Sequence, residues 1–215
     1  MQLDGDYGRD GFARVRGLVP SAVCNALLRQ IEGDVVSKVP AGQLMRQPNL
    51  LKREAVELYG FHYPPLLGFL WGLTPTVSTL LGLDLLPSYS YFRIYREGDV
   101  CRVHCDRYAC EVSLSLTLDY SDGVPWPLEM AKAAVPPSAL VEDGFGTLPF
   151  AAVEMEPGDG VLYQGVERRH GRTTPNPNGW SAHLFCHWVR RDGPHVAHAF
   201  DGRAEAAQPV NFRLG

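Results

Sequence analysis

The sequence predicts an α+β domain, with helices first and an antiparallel barrel or sandwich after them. Three observations predict it. Apolar residues recur at helical spacing up to Leu81, short alternating runs take over from Pro87, and turn signals (EGD, SDGVPWP, EPGDG, TPNPNG) separate those runs. The chain has 215 residues, 45% apolar and 20% charged, which suits one domain around a single core.

Residues 11–17 (GFARVRG) alternate apolar and polar and read as an opening strand. Pro20 and Ser21 then start a helix that places Val23, Leu27, Leu28 and Ile31 on one face and closes at Gly33. Residues 49–59 predict a second helix. Residues 66–81 predict a third, interrupted by Gly68, Gly72 and Pro75 and stopped by Gly82. Strands are expected at 88–95, 100–105, 111–118, 161–164, 166–172 and 180–189. Between them, residues 131–150 are rich in Pro, Ala and Gly, a length typical of functional lids or poorly ordered segments. No flexible linker interrupts the chain. One domain is therefore expected over 1–215, with a helical part to about 86, a β-rich core over about 87–191 and a tail over 192–215.

Composition removes several function classes. A formal net charge of −4 leaves no electrostatic footprint for nucleic acid. No run approaches the roughly 18 apolar residues of a membrane span, and the opening MQLDGDYGRD is too polar for a signal peptide. Five cysteines, an odd set in a chain that needs no staples, point to a reduced, cytoplasmic setting.

The chemistry concentrates in YFRIYREGDVCRVHCDRYACEVSLSLTLDY, residues 91–120. In Val103-His104-Cys105-Asp106 an extended chain puts His104 and Asp106 on the same side, where both can reach one ion. His170 follows the tight EPGDG turn and another strand, in VLYQGVERRHGR. Two imidazoles and one carboxylate suit an octahedral Fe(II) held on one face, with three positions open for a co-substrate and O₂. Competing readings are thinner. Cys101, His104, Cys105 and Cys110 lack the paired spacing of structural zinc, and His195-x-x-His198 reads as solvated tail. A thiol nucleophile at Cys105 or Cys186, beside His183 or His187, lacks a setting that lowers its pKa.

Taken in order, Tyr95-x-x-Gly98, His104-x-Asp106, Pro157-Gly158-Asp159 and His170 carry a resemblance. Together with the opening DGFARVRGLVPSAVCNALL, they resemble the Fe(II)/2-oxoglutarate-dependent dioxygenases of the prolyl-4-hydroxylase-like branch. The resemblance implies a double-stranded β-helix (jelly roll) with helices on one face, and His104, Asp106 and His170 as iron ligands. It implies 2-oxoglutarate and O₂ as co-substrates, and hydroxylation of an unactivated carbon in a small-molecule or peptidyl substrate. Asp106 stands where halogenating relatives leave a position open for chloride.

One departure stands out. The family places an Arg or Lys on the strand after the distal histidine to hold the far carboxylate of 2-oxoglutarate, and residues 180–187 (WSAHLFCH) contain neither. A dianion needs a charged partner there. Arg172, on the His170 face, is the first replacement and Arg93 the second. Ser181 and His183 can add hydrogen bonds, and Tyr95 matches a family position whose hydroxyl touches the co-substrate. Arg107 faces away from Asp106, either to grip a substrate carboxylate or to pair with an acid such as Glu111. Trp126 and Trp180 are expected to shape the pocket. Glu111, Ser113, Ser115 and Thr117 form a polar stripe opposite Val112, Leu114, Leu116 and Leu118, either lining a cavity or facing solvent. A different class of reading is a jelly-roll binding module that senses or docks partners without turnover.

Overall fold

Leu114, Leu116 and Leu118 alternate with Ser113, Ser115 and Thr117, and this alternation decides which way the main sheet faces. In the computed structural model, which describes residues 1–212, helices cover the leucine face and the hydroxyl face looks into a barrel.

Four strands precede the long central ones: β1 (Gln2–Asp4), β2 (Phe12–Arg16), β3 (Met45–Arg46) and β4 (Ala55–Tyr59). Then come β5 (Leu85–Arg96), β6 (Cys101–His104), β7 (Val112–Tyr120) and β8 (Leu128–Ala131). The last four are β9 (Phe150–Val153), β10 (Gly160–Tyr163), β11 (His170–Arg172) and β12 (Trp180–Arg190). The helices are α1 (Tyr7–Asp10), α2 (Ser21–Ile31), α3 (Ala41–Leu44) and α4 (Pro64–Leu81). A large sheet in the order β1-β2-β10-β7-β12-β5-β4-β3 faces a small sheet in the order β6-β11-β8-β9, with every ladder antiparallel. This is an α+β jelly roll.

Helices α2 and α4 lie on the outer face of the large sheet. Leu27, Ile31, Leu66, Leu70 and Val77 pack there with Phe92, Leu114, Leu116 and Leu184, all buried. Helix α4 starts with Pro64 in its first turn and ends at Gly82, whose left-handed φ of 65° suits a glycine cap. Trp188 Nε1 donates to Thr74 Oγ1 at 2.8 Å, tying β12 to α4. Among the described residues no helix is long and apolar enough to cross a membrane.

Three expectations change. Residues 49–59 do not form a helix; Ala55–Tyr59 is strand β4, pairing Val56 with Ile94 and Tyr59 with Tyr91 on β5. AVELY tolerates either state, and the open edge of β5 decides for the strand. Only His170–Arg172 of residues 166–172 is extended, because Glu167 and Arg168 turn back onto the Gln164 carbonyl. The long segment 131–150 is mostly irregular and exposed, but it is anchored at three points. It ends in the β8–β9 hairpin, Val103 bridges Glu142, and Phe145 packs on Val103 and Ala131. The opening strand expected at 11–17 is β2, and β1, β3 and β4 join it within the stretch read as helical, extending the large sheet.

The EPGDG turn closes through Gly158, whose φ is +93°. Its carbonyl accepts from Val19 N, its N–H donates to Thr117 O, and Asp159 Oδ1 accepts from Gly17 N at 2.8 Å. A Cβ here would overlap the Val19 carbonyl oxygen. Gly158→Ala should cost at least about 2 kcal/mol of stability, read as a lower midpoint in urea denaturation.

Candidate metal centre

His104 is the last residue of β6 and His170 the first of β11, and the two face each other across the ladder. Asp106 follows on the loop, held by its N–H to the Gly165 carbonyl at 2.8 Å. Nε2 of His104 lies 3.6 Å, and Nε2 of His170 3.5 Å, from Asp106 Oδ1. All three donor atoms fall within 4.8 Å of one another, close enough to hold one ion. The rings are fixed from behind. Nδ1 of His104 bonds the Arg102 carbonyl and Nδ1 of His170 the Arg168 carbonyl, both at 2.8 Å. A carbonyl only accepts, so each Nδ1 carries the proton and each Nε2 presents its lone pair. Ser113 Oγ lies 3.1 Å from Asp106 Oδ2 and donates to it.

Electrostatics prepare the same donor set. Burial pushes the His104 imidazole below its usual range, with His170 adding to the effect. Burial disfavours the charge on Asp106, but the neighbouring imidazoles, His170 first, hold its carboxyl well below the usual carboxylate range. Two imidazole nitrogens and an anionic oxygen thus converge on one point, a donor set that fits a divalent ion such as Fe(II). Sequence reading missed Gly165, where any Cβ would overlap Asp106 Oδ2 and Ser113 Oγ. Its signal was the glycine that ends VLYQG.

Arg172 lies further along β11, 1% exposed. Its guanidinium sits 5.1 Å from the Trp126 ring and 5.9 Å from Tyr95, and Nη2 reaches Ser115 Oγ at 3.4 Å. Among the described residues no carboxylate pairs with it, which is unusual for a buried cation. Beside it His183 is fully buried, with Nδ1 3.4 Å from Thr117 Oγ1 and no partner at Nε2. Burial, then Arg172 and Arg93, push that imidazole well below its usual range, so it stays neutral.

The other expected contacts are placed differently. Arg93 is occupied by Glu57, with Nε at 2.8 Å and Nη2 at 2.5 Å from Oε1, while Nη1 donates to the Tyr95 hydroxyl at 2.9 Å. Ser181 Oγ donates to Asn176 Oδ1 at 2.7 Å. Trp126 is buried, donates to the Thr174 carbonyl and walls the Arg172 site. Arg107 stacks over Tyr89 and bonds Asp201; Glu111 pairs with Arg190 instead. Trp180 lies outside the barrel, on a groove of about 1200 Å³ between α2 and the sheet, because it shares the outer face of β12 with Ala182 and Leu184. Of the polar stripe, Ser113, Ser115 and Thr117 line the interior and Glu111 does not. Cys110 joins Asp106 and His187 in a second cluster, but burial pushes its thiol well above the usual range.

Compared by sequence, the chain matches no protein-family model and no curated protein. Its structure is similar to a prolyl-4-hydroxylase from Pseudomonas putida, at 19% identity over 87% of this chain and 96% of that one (TM-score 0.56). It is similar to HygX from Streptomyces hygroscopicus, solved with nickel, 2-oxoglutarate and hygromycin B, at 14% identity over 86% and 85% (TM-score 0.60). It is also similar to SnoK, an alpha ketoglutarate dependent carbocyclase from nogalamycin biosynthesis, at 11% identity over 97% and 92% (TM-score 0.65). At these identities the likeness establishes the fold, the jelly roll of the non-haem 2-oxoglutarate oxygenases.

His187 stacks on Tyr89 with centroids 4.5 Å apart, and Ser113 Oγ lies 2.9 Å from its Nδ1. Burial lowers its pKa to about 4. The unfolded chain takes up that proton near pH 6.5 and the folded chain does not, so stability falls as pH drops from 6.5 towards 4. The loss amounts to roughly 3 kcal/mol. His187→Gln should flatten this part of the profile, as measured by urea denaturation at pH 7 and pH 4.5.

Proposed function

We propose that this chain is an Fe(II)- and 2-oxoglutarate-dependent oxygenase that hydroxylates an unactivated carbon of a small-molecule or peptidyl substrate. The observation that carries the reading is Arg172. A buried guanidinium without a counter-charge lines the same interior as a carboxylate-and-imidazole triad, an arrangement that suits a dicarboxylate spanning the two. Five free cysteines fit the reducing cytoplasm we propose as its setting.

His104, Asp106 and His170 would hold the iron, whose chemistry with 2-oxoglutarate and O₂ supplies the oxidant and releases succinate and CO₂. The protein's own residues position and exclude. The Arg102 and Arg168 carbonyls and Ser113 orient the three ligands. Arg172 would hold the distal carboxylate, with Ser115 and neutral His183 beside it, so the charged partner moves from β12 to β11. Trp126 and Tyr95 enclose that carboxylate and keep water out, which strengthens the charge pairing. Arg93 is already neutralised by Glu57 and braces Tyr95. Ser181 steadies the barrel floor through Asn176. Arg107, directly after Asp106, would meet the substrate.

Anaerobic titration with Fe(II) and then 2-oxoglutarate tests the reading through the visible charge-transfer band of their chelate. The band should appear with both, vanish in His170→Ala, and require at least about 30-fold more 2-oxoglutarate in Arg172→Gln, the cost of losing a buried charge pair. Iron binding without a band would make the barrel a metal-binding module. In a parallel metal titration, Ser113→Ala should weaken affinity roughly tenfold, the usual effect of removing a hydrogen bond behind a ligand.

A further inference from the structure

The triad is not sealed from solvent, with the His104 and Asp106 side chains 13% and 15% exposed, and a row of aromatic rings lies nearby. Tyr59 on β4 faces Tyr91 on β5, with centroids 5.4 Å apart, and Phe61, 40% exposed, continues the row 5.6 Å beyond Tyr59. Tyr91 in turn stacks on Phe185 at 4.7 Å. This aromatic row runs from solvent towards the strands that carry Ser113 and His187, which sit against Asp106.

Two guanidinium groups lie along these rings: Arg93 sits 5.1 Å from the centre of the Tyr91 ring, and Tyr89, which carries Arg107, stacks on Tyr91 at 6.2 Å. Glu57 cancels Arg93. Arg107 follows the ligand Asp106 directly and lies flat over Tyr89, 4.1 Å from the ring centre. It makes one ion pair, Nη2 to Asp201 Oδ1 at 2.8 Å, and its side chain stays 54% exposed.

Asp201 belongs to the C-terminal segment Val196–Gly202, which packs against β5 and β12 and reaches the turn at Tyr108. Ser88 Oγ donates to the His198 carbonyl, Tyr108 stacks on His195, and Arg203 lies over Phe61. Phe200 (φ 52°) and Asp201 (φ 58°) are both left-handed, and among the described residues they are the only non-glycine ones that are. Two such residues in succession are strained, and here the strain delivers a carboxylate to the guanidinium beside the metal loop.

We propose that Arg107 is the anion-binding residue of a substrate site beside the triad, that its ligand is a carboxylate whose apolar body lies on the Tyr59–Tyr91 rings, and that Asp201 holds the carboxylate position until the ligand displaces it. The proposal rests on the oxygenase reading, in which substrate reaches the triad. An exposed single-bonded ion pair is weak, so an incoming carboxylate can compete for it. A guanidinium with further donors available can bind that carboxylate through two bonds rather than one.

The test uses the full chain and two probes that differ in charge alone, phenylacetate and phenylacetamide, titrated by calorimetry. Asp201→Asn should bind phenylacetate roughly two- to fivefold more tightly than the unaltered chain, the range of a released exposed ion pair. Adding Arg107→Gln should abolish that gain, and phenylacetamide should not show it. Equal phenylacetate affinity with and without Asp201, or an equal gain for the amide, would overturn the proposal. On the unaltered chain, saturating phenylacetate should speed proteolysis within 196–203, and unchanged cleavage would remove the displacement step. These readouts need neither iron nor 2-oxoglutarate, so they fail independently of the charge-transfer band.

Discussion

Everything at the metal end depends on two hydrogen bonds that point away from it. Nδ1 of His104 and of His170 each bind a backbone carbonyl two residues earlier, and those carbonyls belong to the strand and turn that hold the ligands. This locks both rings in one tautomer and aims both Nε2 lone pairs at Asp106 Oδ1. Without that restraint the imidazoles could rotate and turn both lone pairs away from a shared ion.

The second constraint is charge balance inside the barrel. Glu57 and Arg93 form a buried pair, both nearly inaccessible, and Arg93 also binds Tyr95. His183 and His187 are kept neutral by burial and by nearby guanidinium groups. Arg172 therefore remains as a buried positive charge whose nearest help is a serine hydroxyl, the Trp126 carbonyl and two aromatic faces. Desolvation makes such a charge costly unless an anion completes it. The interior thus carries an unpaired positive charge on β11 and a cluster of metal-ligand type side chains at the β6–β11 ladder.

The two ends differ in how firmly they are built. The floor is packed by Tyr95, Trp126 and Phe185 around fully buried polar groups. The other end keeps a partly exposed ring at Phe61 and an ion pair, Arg107 with Asp201, that solvent reaches.

Local patterns alone determined the central strands, helix α2, the His-x-Asp pair and the glycine turn at residue 158. Each follows from a period of two, an apolar helical stripe or a positive φ that the nearby residues impose. Arg172 was also legible, because it shares a strand face with His170. Tertiary structure decided the rest. Residues 55–59 became a strand because β5 offered an open edge, and that pairing supplied Glu57, 36 positions away, to neutralise Arg93. It placed Asp201, 94 positions downstream, on Arg107, and carried Trp180 outside the barrel. Contacts between distant segments depend on sheet order and register, and neither leaves a mark in local periodicity.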